Sequence, residues 1–153
     1  MEPFEIFKLV HILAVITALG ANLTYAFWLG RAGRDPAHLV WVIESIRRLD
    51  RRVANPAYIV AALAGAAVVV TGPYSFRSAW IEAAIGIYFL IAILGISVYA
   101  PAIRAQLALA RTAPESDAYG SAARRSQTIG LVVTAMVLVI VVLMVLKPTL
   151  WAG

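Results

Sequence analysis

The chain has 153 residues, 62% of them hydrophobic and only 14% charged, with a mean hydropathy of +0.85. That excludes a soluble globular core, and the length fits one domain. The absence of cysteine excludes disulfides, thiolate metal sites and cysteine nucleophiles. A net charge of +5 would point to nucleic acid in a soluble protein. Here the arginines lie between apolar segments, where the positive-inside rule explains them, and no nucleic-acid partner is expected.

Four apolar segments, about residues 5–30, 54–72, 80–103 and 127–147, are each near the ~20 residues that cross a bilayer. The first opens with Lys8 and His11. At about 100° per residue, Ala18, Asn22 and Tyr25 fall within roughly 40° of His11. The imidazole, the amide and the phenol of this segment therefore share one stripe with a small residue. Polar groups facing lipid are costly, so the stripe should face protein. Before it, Glu2 and Glu5 oppose a single Lys8, unlike the basic start of a cleaved signal peptide, so the first helix reads as retained.

The first connection, 31–53, holds Arg31, Arg34, Arg47, Arg48, Arg51 and Arg52. Within it Leu39, Val42, Ile46 and Leu49 recur at helical spacing after an Asp35-Pro36 start signal. It reads as a solvated basic connection, or as an amphipathic helix on the membrane surface or extending the second span. Gly72 to Ser78 is a short turn. The third connection, 104–126, carries Arg104, Arg111, Arg124 and Arg125, and its Pro114, Ser116, Gly120 and Ser121 predict partial mobility. Ten arginines in the two long connections face only Lys8, Arg77 and Lys147 on the other side. That bias puts both long loops in the cytoplasm and both termini outside. Trp80 and Trp151 then lie near the outer interface and Trp28 near the inner one.

The fold expected is all-α: an integral membrane four-helix bundle of one domain, in a bacterial cytoplasmic membrane. Helices in lipid associate through small residues. The second span offers Ala61, Ala62, Ala64, Gly65, Ala66 and Ala67, the third Gly86 and Gly95, and the fourth Gly130 and Thr134. The last span is apolar all round and reads as the helix facing lipid or a second subunit.

Candidate chemistry gathers at the outer end. Lys8, His11, Tyr74, Arg77, Trp80, Glu82 and Met144 all fall there and could converge. His11 reads either as a bundle histidine bonded to Glu82 or to a neighbouring helix, or as an axial ligand of haem b. His38 lies beyond the opposite end of the first helix, so one chain cannot supply two histidines to one iron. Haem would be five-coordinate, ligated by His11 and Met144, or shared across a dimer. Glu82 reads as the partner of Arg77 or Lys8. Asn22, Tyr25, Tyr88, Ser97 and Tyr99 read as interhelical hydrogen-bonding groups. No phosphate-binding loop, zinc-protease motif, nucleophile triad or convincing internal repeat is present.

The opening Phe7-Lys8-Leu9-Val10-His11, with Arg52 to Pro56 (RRVANP) and Tyr99 to Arg104 (YAPAIR), resembles domain-of-unknown-function family 2269 of bacterial membrane proteins over nearly the whole chain. The Lys-x-x-His start is more distantly similar to HemJ-type protoporphyrinogen oxidases and CopD-like four-helix membrane proteins. That likeness implies haem on His11 with Lys8 beside the site. The HemJ-type pattern has a further arginine and histidine late in the first helix, where this chain has Phe27, Trp28 and Ala32.

The leading expectation is a b-type haem-binding redox or electron-transfer protein, with His11 as ligand and Lys8 steering propionates. The rival is a non-catalytic accessory or assembly subunit of a larger membrane complex; a small-solute pore is a third reading. A homo-oligomer fits any of them.

Overall fold

A computed structural model describes residues 2–32 and 38–150, all in helices or their connections, with no strand among them. The Asp35-Pro36 signal, Arg34 and Trp151 fall outside the described residues. The elements are α1 (Pro3–Ala32), α2 (Leu39–Leu49), a π-helical turn (Asp50–Ala54), α3 (Asn55–Thr71), α4 (Ala79–Leu94), a second π-helical turn (Gly95–Tyr99), α5 (Ala100–Thr112) and α6 (Asp117–Leu146). They join into four rods, Pro3–Ala32, Leu39–Thr71, Ala79–Thr112 and Asp117–Leu146, each long and apolar enough to cross a membrane.

The rods are longer than the apolar segments. From Leu39 the first basic connection is helix, and it runs into the second rod without a break, so it extends that rod and is not a solvated loop. The third connection narrows to residues 113–116, because α5 continues to Thr112 and α6 begins at Asp117. The start of α6 is fixed locally: the Ser116 hydroxyl accepts the Tyr119 backbone N–H at 3.1 Å, and Asp117 sits in the first turn. Gly120 and Ser121 are therefore helical, inside the first turns of the capped α6.

These extensions make the best-buried core. On α2, Leu39, Val42, Ile43 and Ile46 form one apolar face. It packs with Tyr25, Leu29 and Ala32 of α1 and Ile103, Leu107 and Ala110 of α5. Beside it, buried Gln106 accepts the Ser126 hydroxyl hydrogen and donates to the Tyr119 hydroxyl at 3.4 Å. A glutamine so enclosed is stable only because both ends of its amide are engaged.

Toward the other end packing relies on small side chains. Helices α1 and α3 make the most extensive contact, and their buried residues include Ala14 and Ala18 on one and Ala57, Ala61 and Ala64 on the other. Going round the bundle the order is α3, α1, α6, α4. Helices α3 and α4, joined by the short 72–78 turn, do not form a packed pair, although chain order predicts them to be neighbours. Their ends are tied instead by a ring cluster. Tyr74 lies 6.2 Å from Phe4 and 5.6 Å from Trp80 between centroids, and Phe4 packs onto Gly72, where a Cβ would lie 2.4 Å from its ring. The circle closes at the arginine-rich end, where α2 meets α5. Gly86 and Gly95, expected as packing contacts, do not act so: a Cβ at either would meet nothing within 4 Å.

Candidate functional site

Both π-helical turns have the same cause. Proline has no N–H to donate and its ring crowds the carbonyl four residues back. Just before Pro56 the Asn55 N–H bonds the Asp50 carbonyl, and just before Pro101 the Ala100 N–H bonds the Gly95 carbonyl, each reaching five residues back. The helix widens and continues. Such turns recur at functional sites. Here both line one partly open cavity of about 760 Å³ to which all four rods contribute.

The cavity draws Asn22 and Tyr25 from α1, Asp50 from the first π-helical turn and Tyr58 from α3. Tyr88 comes from α4, Gly95 and Tyr99 from the second π-helical turn, and Gln127 and Thr134 from α6. The Asn22 amide donates to the Tyr58 hydroxyl, and the Tyr88 hydroxyl donates to the Tyr58 carbonyl at 3.3 Å, bridging the unpacked α3–α4 side. Tyr25 is only 6% exposed, and its hydroxyl has no hydrogen-bond partner among the described residues. Asp50 lies within electrostatic reach of Tyr25, Tyr58 and Tyr99, yet no described side chain bonds or pairs with its carboxylate. Arg47, Arg51 and Arg104 line the same cavity at its arginine-rich end.

The stripe on the first helix faces protein, as its polarity requires. Ala18 and Tyr25 are buried, His11 meets α3, and Asn22 bonds Tyr58. Tyr25, however, is not the interhelical hydrogen-bonding group expected of it. The last rod is longer than its apolar stretch LVVTAMVLVIVVLMVL, and its polar and glycine cavity residues fall mostly ahead of that stretch. Its outward residues, such as Val145 and Leu146, are exposed, but Ser126, Gln127, Gly130 and Thr134 line the cavity.

The residues expected to converge at the Lys8 end of the rods are only partly brought together. Tyr74 and Trp80 meet, joined by Lys147, whose ammonium donates to the Tyr74 hydroxyl at 3.0 Å and lies 4.8 Å from its ring centroid. This contact lowers the Tyr74 pKa below the ordinary phenol value. Lys8 lies over the Phe4 ring at 5.7 Å. Glu82 is exposed and pairs with neither Arg77 nor Lys8 among the described residues. Met144 is half-buried on α6.

His11 meets the neighbouring helix and not Glu82. Its Nδ1 lies 2.7 Å from the Ala61 carbonyl oxygen, so Nδ1–H donates and Nε2 is the remaining acceptor. The ring lies on Gly65, where a Cβ would come within 2.9 Å of Nδ1. A metal-ligating histidine carries its second N–H on just such a carbonyl. Neither this cavity nor the smaller cleft beside it is lined by His11, Lys8 or Met144. No group of three or more His, Cys, Asp or Glu among the described residues could hold a metal ion.

The domain-of-unknown-function family 2269, described as predicted integral membrane protein, matches residues 5–148. The chain belongs to this family. No curated protein and no solved structure matches it, and the more distant likeness to HemJ-type and CopD-like proteins is not shown. This member of the family is thus an integral membrane protein with four candidate spans.

Asp50, Tyr58 and the arginines are cavity residues that the search for chemistry at the Lys8 end of the sequence does not reach. One signal was available: Val53-Ala54-Asn55-Pro56-Ala57 and Val98-Tyr99-Ala100-Pro101-Ala102 share a Val-x-x-Pro-Ala pattern, and each marks a π-helical turn.

Proposed function

We propose that this family member binds, within the bilayer, a molecule with an apolar body and a polar end group, held in the cavity between the four rods. One observation carries the reading. Tyr25 lines the cavity, and its hydroxyl is buried with no hydrogen-bond partner among the described residues. A phenol removed from water without a partner is costly, and a turn of the Tyr25 side chain toward the cavity would let a guest's hydrogen-bonding group remove that cost. Leu23, Ile59 and Ile96 supply apolar wall, and the unpacked side between α3 and α4 offers entry from lipid. Native mass spectrometry of protein extracted from its own membranes should show one stoichiometric non-covalent adduct, weakened in Tyr25→Phe. An adduct-free wild type in every mild detergent would sink the reading.

The reading includes an orientation: a bacterial cytoplasmic membrane with both termini outside, supported by the ten arginines of the two long connections in the sequence. The chain has no cysteine, so single-cysteine variants report side directly. On intact cells Glu2→Cys should react with an impermeant maleimide, and Glu115→Cys only after permeabilisation. The opposite pattern would invert the protein.

A second reading, a b-type haem redox protein with His11 as sole ligand, is favoured by the Nδ1–H bond to Ala61, which leaves Nε2 for a metal. Visible spectra of wild type and His11→Ala, expressed with added haem precursor, decide it. A Soret band lost in the variant supports it; no band in either makes His11 a clamp between α1 and α3.

A further inference from the structure

Beside the cavity lies a second cleft of about 240 Å³ between α2 and α5, lined by Glu44, Arg47, Arg48, Arg51, Arg52, Leu107 and Arg111. Arg47 and Arg51 line both, so the two spaces share a wall. Of the five arginines in the cleft, Arg111 is paired with Glu44; the other four have no carboxylate partner among the described residues. The positive-inside rule accounts for the side on which arginines lie. It does not account for four arginines of one rod, at 47, 48, 51 and 52, lining one cleft without a carboxylate partner among the described residues, where like charges four residues apart repel.

We infer that cleft and cavity form one site for an amphiphile with a phosphate head group. The head sits among Arg47, Arg48, Arg51 and Arg52, and the apolar body lies between α3 and α4. Guanidinium groups hold phosphate oxygens through paired N–H donors, and a phosphate bears more negative charge than one carboxylate, matching several unpaired arginines. The inference rests on the cavity being a binding site. Two sources share this chemistry: a phosphate-headed membrane lipid, and free phosphate from water.

The test uses full-length protein, delipidated in detergent, with thermal shift and native mass spectrometry as readouts. Phosphatidic acid should bind wild type at least ten-fold more tightly than it binds Arg47→Gln/Arg51→Gln. Arg124→Gln/Arg125→Gln, which removes equal charge from the same end outside the cleft, should bind as wild type does. A larger shift with phosphatidic acid than with inorganic phosphate assigns the head group to a lipid; inorganic phosphate acting alone and equally well overturns the amphiphile. Equal binding of phosphatidylcholine, or phosphatidic acid binding unchanged in Arg47→Gln/Arg51→Gln, also overturns it. If Gly95→Leu expels the copurified adduct while the Arg47/Arg51 variant keeps it, the cavity stands and the head-group assignment falls. If neither variant changes the adduct, both fall.

Discussion

Gly95→Leu should lower the amount of copurified adduct at least ten-fold while leaving the protein as stable as wild type, or slightly more so. Gly95 lines the cavity, and a Cβ there would meet nothing within 4 Å, so the leucine side chain grows into the space a guest would fill. The backbone offers no objection: Gly95 has φ −60° in a helical conformation that any residue adopts. Replacing a helix-interior glycine with a good helix former favours the folded state by up to about 1 kcal/mol. Native mass spectrometry and thermal unfolding on the same sample separate the two effects. Gly86→Leu is the control, since that glycine also faces open space but lines neither the cavity nor the cleft. An adduct retained by Gly95→Leu, or lost equally in Gly86→Leu, would remove the cavity from the account.

Ile43→Ala should be among the most destabilising single truncations, costing about 2–5 kcal/mol. Its side chain is fully enclosed, 0% exposed, within the cluster of α1, α2 and α5. That cluster lies at the arginine-rich end, where the bundle meets water and apolar burial is favourable in itself. Val145→Ala removes a comparable group from a residue 71% exposed on the lipid-facing side of α6 and should cost close to nothing. Hydrocarbon is as apolar as valine, so no transfer is lost there. Equilibrium unfolding in mixed micelles, with both variants in one series, measures the contrast. Similar losses for the two would mean that the arginine-rich end is not the stable part of the fold.

The buried stripe on α1 shows what could be read beforehand. His11, Ala18, Asn22 and Tyr25 had to face protein because hydrocarbon cannot satisfy an imidazole, an amide or a phenol. They do, and the same reasoning located four helices long and apolar enough to cross a membrane. Polarity alone did not distinguish Asn22, which finds Tyr58, from Tyr25, whose hydroxyl finds no partner among the described residues. Nor did it show that Gly95 faces space while Gly65 faces a histidine ring, since both are glycines in apolar helices.

By itself the sequence determined that this chain is an all-helical membrane protein, because lipid acts on each segment separately through its own hydropathy and backbone bonding. Only the tertiary structure decided which rods pack. It left α3 and α4 apart, brought two proline-induced π-helical turns to one cavity, and put Asp50 among tyrosines instead of with its neighbouring arginines. The physical reason is that lipid does not drive rods together. Their mutual register depends on how small and bulky side chains meet across helices, and that relation belongs to pairs of segments, not to any single one.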